Sequence, residues 1–357
     1  MDNKILVAMS GGVDSTVTAL LLKEAGWDCV GVTMKLFSLS DVAFSTERSC
    51  CDPEELRLAQ EVAERLGIPF SICDLSEAFR TNVIDYFVNT YLCGDTPNPC
   101  VQCNRTMKFG TLWQKAKELG CNALATGHYA RVEKAPDGRY LLKRALDPTK
   151  DQTYVLWSLT QEQLAHTVFP LGELTKAEVR DIAAQHGFCN ASRKDSQDIC
   201  FVPDGDYAAF IERYTHKSFP SGDFISLDGS VLGRHNGALR YTVGQRKGLG
   251  IALGKPAYVL GKSMADNTVT LGENADLFRT ELTAKDVNLI SVDSIAAPMR
   301  VEAKIRYNAQ ASPATVEQTS ASTIRLVFDE PQRAITAGQS VVLYDGDTVL
   351  GGGIIEG

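Results

Sequence analysis

Short apolar runs alternate with longer stretches in which apolar positions recur every three or four residues along the first 130 positions. Ile5 to Ala8, Cys29 to Met34, Phe70 to Leu75 and Asn122 to Gly127 have the length of buried strands. Thr16 to Ala25 carries Val17, Leu20, Leu21 and Leu22 at helical spacing before Gly26. Asp52-Pro53-Glu54-Glu55 reads as a helix start, with an N-cap, a proline in the first turn and acids at the positive dipole end, and Gly67 as its stop. This alternation predicts a doubly wound parallel sheet. Ligands of such sheets sit beyond the C-terminal strand ends, where Ser10 to Ser15, Met34 and Gly127-His128 fall.

The stretch Gly94 to Arg105 contains Pro97, Pro99 and an Asn-Pro step, and is expected to be an extended loop before a helix over Lys108 to Leu119. A Pro-Asp-Gly turn at 136 to 138 predicts a hairpin. Two helices follow, the second opening with the capping box Thr175-Lys176-Ala177-Glu178. A boundary is expected near 205 to 215. From Phe219 the pattern is short apolar runs separated by Gly, Asp and Asn, which reads as β-structure. Beyond Glu281 the runs Arg300 to Tyr307, Thr323 to Phe328 and Ser340 to Tyr344 suggest a closed or nearly closed antiparallel barrel.

A chain of 357 residues is too long for one comfortable core, and two or three domains are expected. No stretch approaches the roughly 20 apolar residues of a membrane span, and Met1-Asp2-Asn3-Lys4 runs straight into a strand. The expectation is a cytoplasmic protein without a membrane partner. Nothing demands more than a monomer. The ten cysteines are then expected to be reduced, metal-bound or catalytic. A net charge of −8 argues against a general nucleic-acid coat but leaves room for a local basic face.

The chemistry begins at Ala8-Met9-Ser10-Gly11-Gly12-Val13-Asp14-Ser15. Gly11 and Gly12 let backbone approach a ligand, and the loop amides with the first helical turn converge on an anion. Ser10 and Ser15 add hydroxyls, and Asp14 can meet the Mg²⁺ of a nucleotide. No lysine follows the glycines, so this is not a Walker loop. A second candidate is Cys100-Val101-Gln102-Cys103, two thiols three residues apart near Arg105 and Lys108, a setting that favours thiolate and lowers the thiol pKa. Arg193 to Cys200 is a polar segment ending in a third notable cysteine. The glycine-rich basic stretch Tyr241 to Ile251 is either an anion-facing loop or a solvated turn.

Taken together these motifs resemble the tRNA-specific 2-thiouridylase family over essentially the whole length. The matching strings are Ala-Met-Ser-Gly-Gly-Val-Asp-Ser at 8 to 15, Thr-Pro-Asn-Pro-Cys-Val-Gln-Cys-Asn at 96 to 104, Ala-Thr-Gly-His-Tyr-Ala at 125 to 130, Lys-Asp-Gln-Thr-Tyr at 150 to 154, Lys-Asp-Ser-Gln-Asp-Ile-Cys-Phe at 194 to 201, Gly-Gln-Arg-Lys-Gly-Leu-Gly at 244 to 250 and Ile-Arg-Tyr at 305 to 307. The resemblance implies an α/β N-terminal domain of the PP-loop ATP pyrophosphatase type over 1–210, a small mainly-β middle domain over 211–278 and a C-terminal antiparallel β-barrel over 279–357.

By the same resemblance, Ala8, Met9, Ser10, Gly11, Gly12, Val13, Asp14, Ser15, Met34 and Gly127 bind ATP with its Mg²⁺. Cys200 receives sulfur as a persulfide and Cys103 is the second catalytic thiol. Asn98, Pro99 and Cys100 border the target base, although Cys100 stands where some relatives carry aspartate. His128, Lys150, Asp151, Gln152, Arg306, Tyr307 and Gln339 fall in tRNA-contacting stretches. The implied partners are tRNA, through its anticodon stem-loop and wobble uridine, and a sulfur-donor relay protein or cysteine desulfurase.

The chemistry needs these groups because the C2 carbonyl of uracil is a poor electrophile. Adenylation turns its oxygen into a leaving group, a persulfide on Cys200 supplies sulfur, and Cys103 releases it by attacking Cys200, leaving a disulfide for an outside reductant. Alternatively Cys103 liberates sulfide first. An iron-sulfur cluster on Cys100, Cys103 and Cys200 is a further route to the same product. A structural zinc lacks a second ligand pair, and no metal residues are assigned. Arg105, Lys108, Arg144, Lys150, Arg240, Arg246, Lys247, Lys304 and Arg306 suffice for one basic face. Rival functions are a ligase adenylating a small-molecule carbonyl, which has no use for the thiols, and a non-enzymatic sulfur carrier or RNA-binding protein.

Overall fold

The computed structural model describes residues 3–37, 53–193 and 199–357. Cys50, Cys51 and the expected N-cap Asp52 lie outside these, as do residues 194–198 of the Lys194 to Phe201 motif.

Five parallel strands form the N-terminal sheet, in the order Phe70–Asp74, Asp28–Lys35, Lys4–Ala8, Ala123–Ala125, Thr167–Val168. Ile5 and Val7 pack in one core with Val17, Leu20, Val62 and Val179, while Leu6 packs in another with Val32, Leu112, Trp113 and Leu124. Alternate side chains of the central strand therefore enter cores on opposite faces. That is why its sequence is a continuous apolar run. Helices Val13–Glu24, Pro53–Leu66 and Lys176–Gln185 cover the first face. The strand order reverses between Lys4–Ala8 and Ala123–Ala125, so a crevice opens at their C-terminal ends.

The capping box at Thr175 and Glu178 and the hairpin Arg131–Lys134/Tyr140–Lys143 form as the sequence predicts. Gln102 to Glu118 differs from expectation only in where its helix begins. Asn98 caps a helix that opens at Pro99, accepting from the amides of Cys100 at 3.1 Å and Val101 at 3.4 Å. Proline is compatible with the first helical position because that amide has no helical partner. The helix continues through a π-helical stretch, Cys103–Thr111, into Leu112–Glu118. The extended loop expected up to Arg105 therefore ends at Asn98.

Helix Tyr207–Thr215 occupies the stretch where a boundary was expected, and buries Ala208, Phe210 and Ile211 with Phe79, Phe87 and Phe201. The middle sheet runs Tyr258–Ser263, Thr268–Gly272, Gly222–Ile225, Val231–His235 around Phe224, Tyr241, Val259 and Val269. Six antiparallel strands follow: Phe278–Leu289, Thr323–Arg333, Ser312–Ser320, Met299–Lys304, Ser340–Asp345 and Thr348–Ile355. The last pairs back on the first at Ala284 and Ile355, which closes the barrel. The hairpin at 131–143 joins this barrel sheet, Lys143 pairing with Thr348. Trp157, Tyr154, Val342, Tyr344 and Val349 share one buried cluster with Leu6 and Leu124, so barrel and α/β sheet have a common core.

Candidate active site

Ala8 ends the central strand, Met9 is buried and bonded through its amide to Val32 O at 2.9 Å, and Gly11 turns the chain at φ +78°. A Cβ on Gly11 would lie 2.3 Å from Glu55 O, so only glycine fits there. Gly12 is the N-cap of helix Val13–Glu24 and offers no side-chain acceptor. No side chain therefore competes with a ligand for the first-turn amides. Ser15 Oγ accepts from Ser10 N at 3.1 Å and donates to Gly12 O at 3.0 Å, which fixes the loop from inside. Gly127 packs against the start of the helix, where a Cβ would come within 3.0 Å of Asp14 and Ser15.

Asp14 is not open to solvent ions alone. Lys176 Nζ donates to its two carboxylate oxygens at 2.7 and 2.8 Å, and Tyr129 OH donates to Oδ1 at 2.8 Å. Asn190, buried, donates to Gly11 O at 2.9 Å and to Thr16 Oγ1 at 2.8 Å. Arg193 pairs with Glu55 at 3.2 Å. Sequence reasoning missed Lys176, Tyr129, Asn190 and Arg193 as parts of this site. Lys176 stands inside the recognised capping box and Tyr129 inside the Gly-His-Tyr motif, but nothing local says that either reaches a loop more than a hundred residues earlier.

The second half of the site is the cysteine helix. Cys100 and Cys103 are one turn apart and share a face. Cys103, Met34 and Ile199 all pack against the cluster that holds Met107 and Phe201, which brings the residues flanking Cys200 to the core this helix borders. Cys200 lies close enough to both Cys100 and Cys103, and Cys100 to Cys103, to disfavour their ionisation, and the cysteines described carry no disulfide. Burial pushes the Cys100 thiol up to about 11 and the Cys103 thiol up to about 12, with Lys108 opposing. The expectation of lowered thiol pKa values is thus overturned, because desolvation outweighs the lysine and the helix end. Cys100 is solvent-exposed, so water tempers the effect there, and Cys103 is the more firmly protonated. Among the described residues no group of three or more Cys, His, Asp or Glu side chains converges as a metal-ligating set.

Lys108 also lies 3.3 Å from His128 Nε2, whose Nδ1 is 2.6 Å from Thr126 Oγ1. His128 is buried between Phe109 and Phe169, and burial first, then Lys108, holds its pKa well below the usual histidine value. The neutral ring accepts from the ammonium and steadies it beside the thiols.

The other residues expected at the tRNA face fall around this helix in varied settings. Asp151 is buried and accepts from Thr153 Oγ1 at 2.7 Å and from the amides of Ala145 and Thr153. Gln152 accepts from Tyr129 N at 2.9 Å. Lys150 and Tyr307 share their electrostatic environment, and Tyr307 also faces Cys100. Tyr307 is exposed, edge-on to Tyr154 at 6.0 Å, with Lys304 over its ring. Arg306 donates to Ala334 O and to Thr336 Oγ1 at 2.8 Å, and so braces a barrel turn. Gln339 donates to the carbonyls of Thr96 and Pro97, just ahead of Asn98, Pro99 and Cys100. Asn104 donates to Val155 O at 2.9 Å and ties the cysteine helix to the segment carrying Lys150 to Tyr154.

Three family models match the chain: a tRNA methyl transferase HUP domain over residues 3–204, a tRNA methyl transferase PRC-barrel domain over 208–273 and an aminomethyltransferase β-barrel domain over 279–355. The tRNA-specific 2-thiouridylase MnmA of Clostridioides difficile is 52% identical over 357 residues, covering 100% of this chain and 99% of that protein. The protein of the same name in Clostridium acetobutylicum is 48% identical over 358 residues and covers both chains fully. A solved 4-thiouridine synthetase in complex with RNA and ATP overlaps 59% of this chain and 50% of its own at 20% identity and a TM-score of 0.37, too loose a likeness to bear on the site.

Proposed function

The chain belongs to the tRNA-specific 2-thiouridylase family, and on that footing we propose that its ATP-dependent replacement of the C2 oxygen of the wobble uridine by sulfur is carried by the loop Ala8 to Ser15 and by the thiols of Cys103 and Cys200. The observation that supports this reading best is the approach of Cys200 to the helix that carries Cys100 and Cys103. Methyl transfer, which two of the family descriptions name, has no use for paired thiols beside a phosphate loop.

The loop amides, with Ser10 and Ser15, hold the phosphates, and Met34 and Gly127 line the nucleotide side. The Asp14 carboxylate fits the hard Mg²⁺ that accompanies ATP. Attack of the C2 oxygen at the α-phosphorus expels pyrophosphate and leaves the base adenylated. A donor protein, a cysteine desulfurase or its relay, loads Cys200 with a persulfide. The terminal sulfur attacks C2 and AMP leaves, and Cys103 attacks Cys200 to free the sulfur, forming a disulfide that an external reductant reopens. Lys108, steadied by neutral His128, is the cation that offsets the thiolate formed in that step. Asn98, Pro99, Cys100 and Tyr307 border the base, which is turned out of the anticodon stack to reach them.

The test is nucleoside mass spectrometry on unmodified tRNA incubated with protein, ATP, Mg²⁺ and a persulfide donor, beside Cys103→Ser and Cys200→Ser. 2-Thiouridine from the parent protein and none from either variant is expected. Full activity in either variant overturns the assignment of that thiol.

A further inference from the structure

We propose that Lys176 is the pyrophosphate-contacting cation of the ATP loop, parked on Asp14 until a nucleotide arrives. This rests on the reading of Ala8 to Ser15 as the ATP site.

The loop itself carries an acid and no base: Ser10-Gly11-Gly12-Val13-Asp14-Ser15 has no lysine, so a triphosphate would meet neutral amides, two hydroxyls and one carboxylate of its own sign. Lys176 brings the missing charge from 162 residues away, its Nζ 2.7 and 2.8 Å from the Asp14 oxygens. The residue is 9% exposed, and its backbone amide is fixed by Asp147 Oδ2 at 3.1 Å. The ammonium is thus preorganised at the edge of the anion site rather than floating in solvent.

Its position is unhelpful to its own helix. Lys176 is the first residue of Lys176–Gln185, where the helix dipole disfavours a cation, and the capping box there is completed by Thr175 and Glu178 without it. A lysine buried at that point serves something outside the helix. Asp14 also has a replacement partner: Tyr129 OH keeps its bond to Oδ1 when the ammonium moves away. MgATP would exchange one ion pair for two, Asp14 with the metal and Lys176 with the phosphate oxygens.

In the reaction, a bond forms between the uridine C2 oxygen and the α-phosphorus, and the bridge from α-phosphorus to the β-phosphate oxygen breaks. Its electron pair leaves on pyrophosphate, and the N3 proton of the activated ring goes to solvent. Lys176 changes no bond; it holds the negative charge that grows on the leaving group.

The experiment titrates MgATP, inorganic pyrophosphate and AMP into the full-length protein and into Lys176→Met, Lys176→Arg and the double variant Asp14→Asn/Lys176→Met. Loss of one charge-assisted contact weakens ATP and pyrophosphate by about 10- to 100-fold in Lys176→Met. AMP binding stays unchanged, and Lys176→Arg recovers most of the loss. The double variant leaves no half-buried carboxylate without its cation, so it keeps the comparison valid where Lys176→Met alone folds poorly, and it too loses pyrophosphate. Equal losses for AMP and pyrophosphate, or unchanged pyrophosphate binding, overturn the assignment. A parent protein that binds none of the three and forms no 2-thiouridine overturns the ATP reading itself, a result distinct from either.

Discussion

The side-chain amide of Gln339 donates to Thr96 O at 2.8 Å and to Pro97 O at 3.3 Å, so the barrel holds the turn from which the cysteine helix starts. The amide of Thr96 returns a bond to Ala337 O at 2.9 Å. Gln339→Ala is expected to cost about 1 kcal/mol of stability, the worth of a partly buried hydrogen bond. The sharper effect falls on Cys100, whose alkylation should quicken several-fold as Asn98 and the first turn fray. Mass spectrometry of a timed alkylation checks this; an unchanged rate would mean that Asn98 alone sets the helix start.

The buried thiols make a prediction in alkali. Cys103 ionises near 9.0 when exposed and is pushed up to about 12 in the fold. Its neutral form is the one the fold favours, so its contribution is fully present below pH 9 and is lost as pH rises from 9 toward 12. Unfolding by urea under reducing conditions at pH 8 and pH 10 should show a fall in stability, with Cys103 supplying at most about 1.4 kcal/mol per pH unit. The fall should be smaller in Cys103→Ser. Lys108→Met removes the opposing charge and should slow Cys103 alkylation at any fixed pH below 9.

His128 gives the opposite sign. Its pKa lies well below 6.5 in the fold because burial and Lys108 disfavour the imidazolium. The unfolded chain then binds the proton first, so stability is retained above pH 6.5 and falls as pH drops below it. Comparing urea midpoints at pH 7 and pH 5 should show this loss, and His128→Gln should flatten it. An equal slope in the variant would assign the acid sensitivity elsewhere.

Binding of tRNA should weaken steeply with salt despite the net charge of −8. Arg246 and Lys247 are exposed on the glycine-rich stretch beside the barrel turn that Arg306 braces. Each one changed to alanine should lower the slope of log affinity against log salt by about 1 if it meets a phosphate. A slope unchanged in both variants would remove this loop from the RNA face.

Much of this was readable in advance where local chemistry decides. The run Ile5 to Ala8, the Gly11-Gly12 turn, the capping box at Thr175 and the Pro-Asp-Gly hairpin carry their own instructions. Pro97 and Pro99 misled because proline reads as a breaker, whereas Asn98 as N-cap makes Pro99 a helix opener. The thiol pKa values were unreadable for another reason: Arg105 and Lys108 are visible in sequence, but the burial of Cys103 against the cluster that holds Met107 and Phe201 is not. Lys176, Tyr129 and Asn190 reach the loop Ser10 to Ser15 only through the fold, and only the fold pairs the hairpin at 131–143 with Thr348.

That hairpin binds the parallel sheet to the barrel. Arg131 and Lys143 both pair with Asp347, Arg144 N donates to Asp347 O, and Trp157 fills the space against Gly352. The strand that follows the parallel sheet is thereby riveted to the barrel that bears Tyr307. Parallel sheet and barrel are thus joined twice over, by ion pairs at the surface and by one aromatic core beneath.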